Sequence, residues 1–391
     1  MESLERYIRE PVGSFFLFGP RGTGKSTWLQ ARFKEALWIN LLKPDVQRQL
    51  AAHPERLDEI LQGSPQQKTV VLDEVQRVPE LLTVVHRYIE KKQGYRFVMT
   101  GSSARKLKRS GIDLLAGRAV MANCHPFMAS EMGDLFSLES ALRLGTVPLI
   151  RAASNPDETL AAYVMLYVRE EVMAEGLVRD IGGFSRFLEA ISFSQASLIN
   201  ISEISRECEV SRKTVEGYVT VLEDMLLGNR LQVFSRRAKR ALIKQSKFYF
   251  SDCGVFRSVR PKGPLDRLEE MDGAALEGLV FQHLKAWIDY TKARNQLFFW
   301  RTQAGTEVDF VVYGESVFCA FEVKNSRTFS RKDLRGLKTF KNDYPESSVA
   351  LLYRGSERRM VDGVLCIPCA SFLQKLIPNE APIGEELVPY Y

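Results

Sequence analysis

The run Gly19-Pro20-Arg21-Gly22-Thr23-Gly24-Lys25-Ser26-Thr27 constrains this chain more than any other stretch. It fits G-x-x-x-x-G-K-S/T and stands between an apolar, strand-like run at 14–18 and a helical stretch. Glycines let successive backbone N–H groups turn toward one anion. A helix that starts directly after them points its positive end at the same anion. In such a loop Lys25 reaches the β- and γ-phosphates of a nucleoside triphosphate, and the Ser26 hydroxyl holds Mg²⁺. Gly19 to Thr27 are therefore the expected ATP-binding residues.

Further apolar runs at 36–40, 69–73, 95–100 and 119–124 alternate with helical stretches. That order predicts an α/β domain with a mainly parallel sheet. The third run ends in Asp73-Glu74. Asp73 suits the magnesium shell and Glu74 suits the activation of water, so hydrolysis is expected and not binding alone. The competing reading is a chance glycine loop with a surface Asp-Glu pair. It fails to explain why both motifs follow apolar strands. After the fourth run, Thr100 or Ser102 can sense the γ-phosphate or form a simple turn. Arg118, in "LLAGRAV", is either an arginine finger for a neighbouring subunit's nucleotide or an ordinary surface arginine.

With 391 residues, 45% of them hydrophobic and 26% charged, the chain predicts two or three globular domains. The net charge of +6 permits nucleic acid without requiring it. The start, "MESLERYIREPVG", is too charged for a signal peptide, and no apolar run approaches a membrane span. A cytoplasmic location with free thiols is the expectation, since Cys366-Ile367-Pro368-Cys369 lacks two further zinc ligands at motif spacing.

Residues 127–195 read as mainly helical, and residues 196–247 change character. Asn200 and Ser211 are expected N-caps of two short helices joined by a tight turn. The second opens with Arg212, Lys213 and Thr214, which suit a DNA major groove or its phosphates. Arg236, Arg237, Lys239, Arg240, Lys244 and Lys247 follow and suit a basic β-wing on duplex DNA. The other reading is a helix pair that packs against the ATPase part, with a solvated charge run.

"EVDFVVYGESVFCAFEVKN" (307–325) reads as a hairpin that carries charges inside an apolar pattern. Glu322 and Lys324 share one face by strand alternation, and Asp309 lies on the partner strand. Glu277, in the helical "ALEGLVFQHL", completes the group. Gathered carboxylates repel unless a cation sits among them, and oxygen ligands suit Mg²⁺ or Mn²⁺. Asp309 and Glu322 are the expected ligands, with Lys324 orienting water or neutralising charge at a scissile phosphate. The plain alternative is a charged strand face, solvated and cross-paired.

The stretches "GPRGTGKST", "VVLDEVQ", "TGSSARKL", "LAGR", "SRKTVEGYVTVLED", "KFYFSDCGVFR", "ALEGLVFQHL" and "FWRTQAGTEVDF…FEVKN" together resemble bacterial and archaeal AAA-type P-loop ATPases. The carboxy-terminal part of that group is a domain of unknown function similar to the PD-(D/E)XK restriction-endonuclease fold. The resemblance implies an ATPase core at 1–126, a helical lid at 127–195, a winged helix-turn-helix at 196–247 and a nuclease-like domain at 248–391. Gly22, where a bulkier residue is common, and a loose "YVREEVMAEGLVRDI" are the two departures. The expectation is an ATPase that contacts DNA, with ATP-regulated, metal-dependent cleavage and with a homo-oligomer as one form it can take. The alternative is an ATP-dependent binding switch whose nuclease-like domain is a scaffold. A small-molecule kinase is a weaker third reading, because the winged helix would be superfluous.

Overall fold

Each of the five apolar runs of the amino-terminal part forms a strand; the three central ones are buried on both faces, as apolar runs between helices are, and the two edge strands are partly exposed. These are β1 (Phe15–Phe18), β2 (Leu37–Asn40), β3 (Thr69–Asp73), β4 (Arg96–Gly101) and β5 (Val120–Asn123). All neighbours are parallel, in the order β2-β3-β4-β1-β5. The computed structural model describes residues 4–102, 115–168, 180–264 and 266–383. The sequence beyond Ser102 in "TGSSARKL" and most of "YVREEVMAEGLVRDI" lie outside them. The chain divides into two compact units, one of Ile8–His125 with Asp224–Leu226 and one of the remaining residues.

In the first unit the helices α1 (Lys25–Arg32), α2 (Pro44–Ala52), α3 (Arg56–Gly63) and α4 (Leu81–Glu90) connect the strands. Leu57, Leu61, Leu81, Leu82 and Val85 pack with Val70, Leu72, Phe97 and Met99 into one core. The strand order leaves β4 between β1 and β3. The chain ends that leave β1, β3 and β4 therefore meet at the carboxyl edge of the sheet, where open α/β sheets place their ligands.

The second unit holds α5 (Leu138–Leu144), α6 (Ile181–Ser192), β6 (Ser197–Leu198), α7 (Ile201–Glu207), α8 (Arg212–Asp224), β7 (Gly228–Leu231) and β8 (Lys247–Phe250). Asn200 caps α7 by accepting the Glu203 N–H at 3.2 Å, and Ser211 accepts the Thr214 N–H at 3.1 Å ahead of α8. β6, β8 and β7 form a small antiparallel sheet. Next come α9 (Cys253–Val259), α10 (Leu268–Tyr290), β9 (Asn295–Arg301), β10 (Glu307–Gly314), β11 (Phe318–Lys324), α11 (Arg335–Asp343), β12 (Ser348–Tyr353), β13 (Arg359–Val361), β14 (Val364–Pro368) and α12 (Cys369–Lys375).

The last six strands make one mixed sheet, ordered β13-β14-β12-β11-β10-β9. Phe310 and Phe321 face α10 and α12 through Phe281 and Phe372, while Ala320 and Leu351 face Leu337 and Phe340 of α11. Helices thus cover both faces. The hairpin expected at 307–325 is β10 and β11, with Phe310 opposite Phe321. All six cysteines are buried and free. Burial pushes the Cys366 thiol up to about 11 and the Cys369 thiol up to about 12, so neither is a ready thiolate. Among the described residues no helix is long and apolar enough to cross a membrane.

Candidate functional site

The loop between β1 and α1 is shaped by its glycines. Gly22 and Gly24 take φ of 78° and 87°, a left-handed conformation that favours glycine. Gly19 approaches so closely that a Cβ there would lie 2.3 Å from the Cys124 carbonyl oxygen. Thr23 is buried, and its hydroxyl donates to the Pro20 carbonyl at 2.8 Å, which closes the loop on itself. Lys25 Nζ reaches back and donates to the carbonyls of Gly19 at 2.6 Å and Pro20 at 3.2 Å. α1 carries no acidic residue in its first turn to offset the positive end of its dipole.

Asp73 stands at the end of β3 and gathers two hydroxyls. Ser26 Oγ lies 3.1 Å from each Asp73 carboxylate oxygen, and Thr100 Oγ1 donates to Oδ1 at 2.6 Å. The same Thr100 hydroxyl accepts the Glu74 N–H at 2.8 Å. Glu74 takes a left-handed φ of 62°, unusual for a side chain of its size. Its carboxylate accepts from the Gln76 amide, which also donates to Ser102 Oγ at 3.2 Å. Gln76 escaped the reading of the sequence. It lies three residues beyond Asp73, and only the fold brings it to Ser102. A hydroxyl beside a carboxylate is the hard oxygen set that Mg²⁺ takes, so Ser26 and Asp73 fit that ion.

Arg118 is not part of this group. It is exposed and pairs with Glu90 at the end of α4. Phe15 is level with Val120, so Arg118 precedes the amino edge of the sheet, opposite the edge from which the phosphate loop leaves.

In the second unit a β-bulge shapes the charged hairpin. The pairing of β10 with β9 shifts between Val308 and Val311, and Asp309 lies in that irregularity. Bulges re-aim side chains in this way. Asp309 Oδ2 accepts the Val323 N–H at 2.9 Å, which places it beside the Glu322 segment. Glu322 and Lys324 pair at 3.1 Å.

Lys247 lies among the carboxylates. Expected on a basic wing, it is instead 2% exposed and begins β8. Its Nζ lies 3.0 Å from Glu277, 3.3 Å from Asp309 and in contact with Glu307. β8 is buried along its whole length, so its first side chain leaves the wing and finds polar partners in these acids. Glu307 was also missed, although it stands two residues before Asp309. Tyr249 donates its hydroxyl to Glu277 at 2.6 Å.

Burial and the Asp309 charge push Glu277 up to about 7, against the pull of Lys247. Burial and Asp309 likewise raise Glu322 well above the usual carboxylate range. For Lys247 burial disfavours the ammonium, but Glu277, Tyr249, Asp309 and Glu307 outweigh it and hold the group charged. The metal expected at Asp309 and Glu322 does not fit this arrangement. An ammonium holds Glu277 and Asp309, a backbone N–H holds the other Asp309 oxygen, and Lys324 holds Glu322. Among the described residues no group of three or more His, Cys, Asp or Glu side chains is poised for a metal ion.

The basic residues separate into two sets. Arg212 and Lys213 are exposed at the start of α8, and Thr214 is half-buried beside its cap. The segment 232–246 runs along the edge of β9, through Phe234 to Phe299 and Ile243 to Arg301. There Arg236 stacks over Tyr313 and donates to Gln296, and Arg240 pairs with Asp343 at 2.6 Å. Arg237, Lys239 and Lys244 are exposed.

Comparison with known proteins matches three stretches of the chain to family models. Residues 13–133 match the family model of the AAA domain. Residues 136–266 and 272–372 match two domains of unknown function, DUF8612 and DUF4143. An uncharacterised protein of Mycobacterium tuberculosis, Rv2008c, is 25% identical over 372 residues, covering 93% of this chain and 81% of its own. An uncharacterised protein of Mycobacterium bovis, Mb2031c, matches equally. Among solved structures, protein VC1899 from Vibrio cholerae overlaps 93% of this chain and 96% of its own, with 10% identity and a TM-score of 0.22. A type III CRISPR defence DNA nuclease activated by cyclic oligoadenylate overlaps 99% of this chain and 51% of its own, with 12% identity and a TM-score of 0.20. Overlaps of that quality fix neither fold nor function. The AAA match and the parallel sheet with its phosphate loop make the first unit an AAA-type, ATP-binding domain.

Proposed function

We propose that this chain is an ATP-hydrolysing switch that contacts duplex DNA, with its carboxy-terminal, nuclease-like domain serving as a scaffold. The observation that carries the reading is the hydrogen-bonded series Ser26–Asp73–Thr100–Glu74 beside the Lys25 loop. Lys25 gives up its carbonyl partners to phosphate oxygens. Ser26 and Asp73 would hold Mg²⁺, which neutralises phosphate charge when bound. Thr100 fixes Asp73 and the Glu74 backbone together, so the Glu74 carboxylate is poised to orient and deprotonate water. Ser102, reached through Gln76, can report the γ-phosphate to the following segment.

The test is phosphate release from Mg-ATP by the full chain. Lys25→Ala is expected to abolish nucleotide binding. Glu74→Gln is expected to bind ATP and turn over about 10²-fold or more slowly, the usual worth of a positioned base. Undiminished turnover in Glu74→Gln removes it from that role.

DNA contact is assigned to Arg212, Lys213 and Thr214 at the start of α8, with Arg237 and Lys239 exposed further along the chain. A second reading keeps metal-dependent cleavage at Glu277, Asp309, Glu322 and Lys324. In its favour, Glu322 Oε2 is buried without a hydrogen-bond partner. Against it stands the ammonium already lodged among the acids.

A further inference from the structure

Carboxylates from two elements converge in an apolar setting: Glu277 from α10, and Glu307 and Asp309 from β10. Unpaired charges brought this close, away from water, cost several kcal/mol each. Something positive must sit among them, and the residue that does so is supplied by a third element, β8. Lys247 points its Nζ into the group, 3.0 Å from Glu277 Oε1 and 3.3 Å from Asp309 Oδ1, and touches Glu307. The remaining partners are also fixed. Arg301 pairs with Glu307 at 2.9 Å, the Tyr249 hydroxyl donates to Glu277 at 2.6 Å, and the Val323 N–H donates to Asp309 at 2.9 Å.

We propose that Lys247 is the resident cation of this cluster: its ammonium stands where a divalent ion would bind and ties β8 to α10 and β10. A magnesium ion needs oxygen ligands at about 2.0–2.1 Å in near-octahedral array. It cannot share the Asp309 and Glu277 oxygens with an ammonium at hydrogen-bond distance. The wild-type cluster is therefore indifferent to divalent cations, and removal of the lysine charge turns it into a site for them. The inference rests on the scaffold reading of this domain and is independent of nucleotide hydrolysis, so either can fail without the other.

The experiment follows Mn²⁺ binding by electron paramagnetic resonance, and thermal melting, on the nucleotide-free full chain. Wild type is expected to show no Mn²⁺ site that Asp309→Asn removes, and the same melting temperature with or without Mn²⁺. Lys247→Met keeps the length of the side chain and deletes its charge. It is expected to melt several degrees lower, to recover on addition of Mn²⁺ and to bind one ion per chain. Adding Asp309→Asn to Lys247→Met is expected to restore part of the stability and abolish that ion.

Three outcomes overturn the inference. The first is a wild-type Mn²⁺ site, or Mn²⁺-dependent plasmid nicking, that Asp309→Asn abolishes. The second is a Lys247→Met chain that is both stable and blind to metal. The third covers a Lys247→Met chain too unstable to purify: the double variant then decides, and its failure to fold as well shows that Lys247 does more than balance charge.

Discussion

Thr100 spends one hydroxyl on two partners: it donates to Asp73 and accepts from the Glu74 backbone. With its hydroxyl committed to those two partners, it is expected to act by positioning. Thr100→Val preserves shape and removes both bonds. It is expected to lower the rate of ATP hydrolysis well beyond its effect on ATP affinity, because Lys25 and the glycine loop remain. Parallel titrations of ATP binding and turnover check this; an equal loss in both would make Thr100 a binding residue instead. At this scale the sequence was readable where the chemistry is contiguous. Lys25 with Ser26 and Asp73 with Glu74 sit in two short motifs of adjacent residues, and the structure links Ser26, Asp73 and the Glu74 backbone through Thr100. Gln76 and Lys247 were not readable in that way. Lys247 meets Glu277 and Asp309 across 30 and 62 residues, and nothing local in "KFYF" announces an ion pair.

At the scale of elements, hydrophobic runs marked every strand of the first sheet, and apolar alternation marked the hairpin. The bulge at Asp309 was hidden, because a one-residue irregularity leaves the alternation almost unchanged. Within the basic run 236–247 only Lys247 departs from a wing, because it is buried at the start of β8, while the segment before it lies against the edge of β9 with Arg237, Lys239 and Lys244 exposed. On α8, Arg212 and Lys213 are exposed on the first turn. Binding to duplex DNA is expected to weaken steeply with salt, and log K falls against log salt with a slope of about 0.9 for every phosphate the protein neutralises. Arg212→Glu with Lys213→Glu leaves two fewer phosphates neutralised. It is expected to weaken binding and to flatten the slope by about twice that increment. Fluorescence anisotropy across a salt series checks it, and salt-independent binding assigns the helix pair to packing.

α10 also carries a pH dependence. His283 is fully buried, accepts the Ala129 N–H at 2.8 Å through Nε2 and meets the Leu279 carbonyl at 2.8 Å through Nδ1. Burial lowers its pKa from 6.5 to about 4. Between those values the unfolded chain takes up a proton that the folded chain refuses, so stability falls as pH drops from 6.5 to 4. The loss is on the order of 3 kcal/mol. Asp252 works in the opposite sense, because burial raises it from 3.8 to about 6 and the folded chain keeps its proton longer. His283→Gln retains an acceptor without the proton site. Its melting temperature is expected to fall less than that of wild type between pH 7 and pH 4.5, and equal slopes would rule out His283 as the source.

For the whole molecule, the first unit contains a phosphate loop and a hydroxyl–carboxylate pair that fits a metal, yet Arg118 lies apart from them. It stands before the opposite edge of the sheet, exposed and paired with the partly exposed Glu90. An exposed pair of this kind contributes little to stability, about 0–1 kcal/mol, so the arginine is released at low cost. If Arg118 serves the nucleotide of a second copy, that copy must present its carboxyl edge there, and an arginine supplied in trans is worth about 10³–10⁵ in rate. Arg118→Ala leaves the loop intact but removes the group offered to the neighbour. Lys25→Ala keeps Arg118 but cannot use its own nucleotide. Each variant alone is expected to be nearly inactive in ATP hydrolysis. On mixing, the expectation is that junctions pairing the intact loop of one with the intact arginine of the other return part of the activity, with a dependence on total protein concentration. Light scattering on the same samples reports the assembly. A monomer at all concentrations, with no recovery on mixing, leaves Arg118 a surface residue and hydrolysis a property of the single chain.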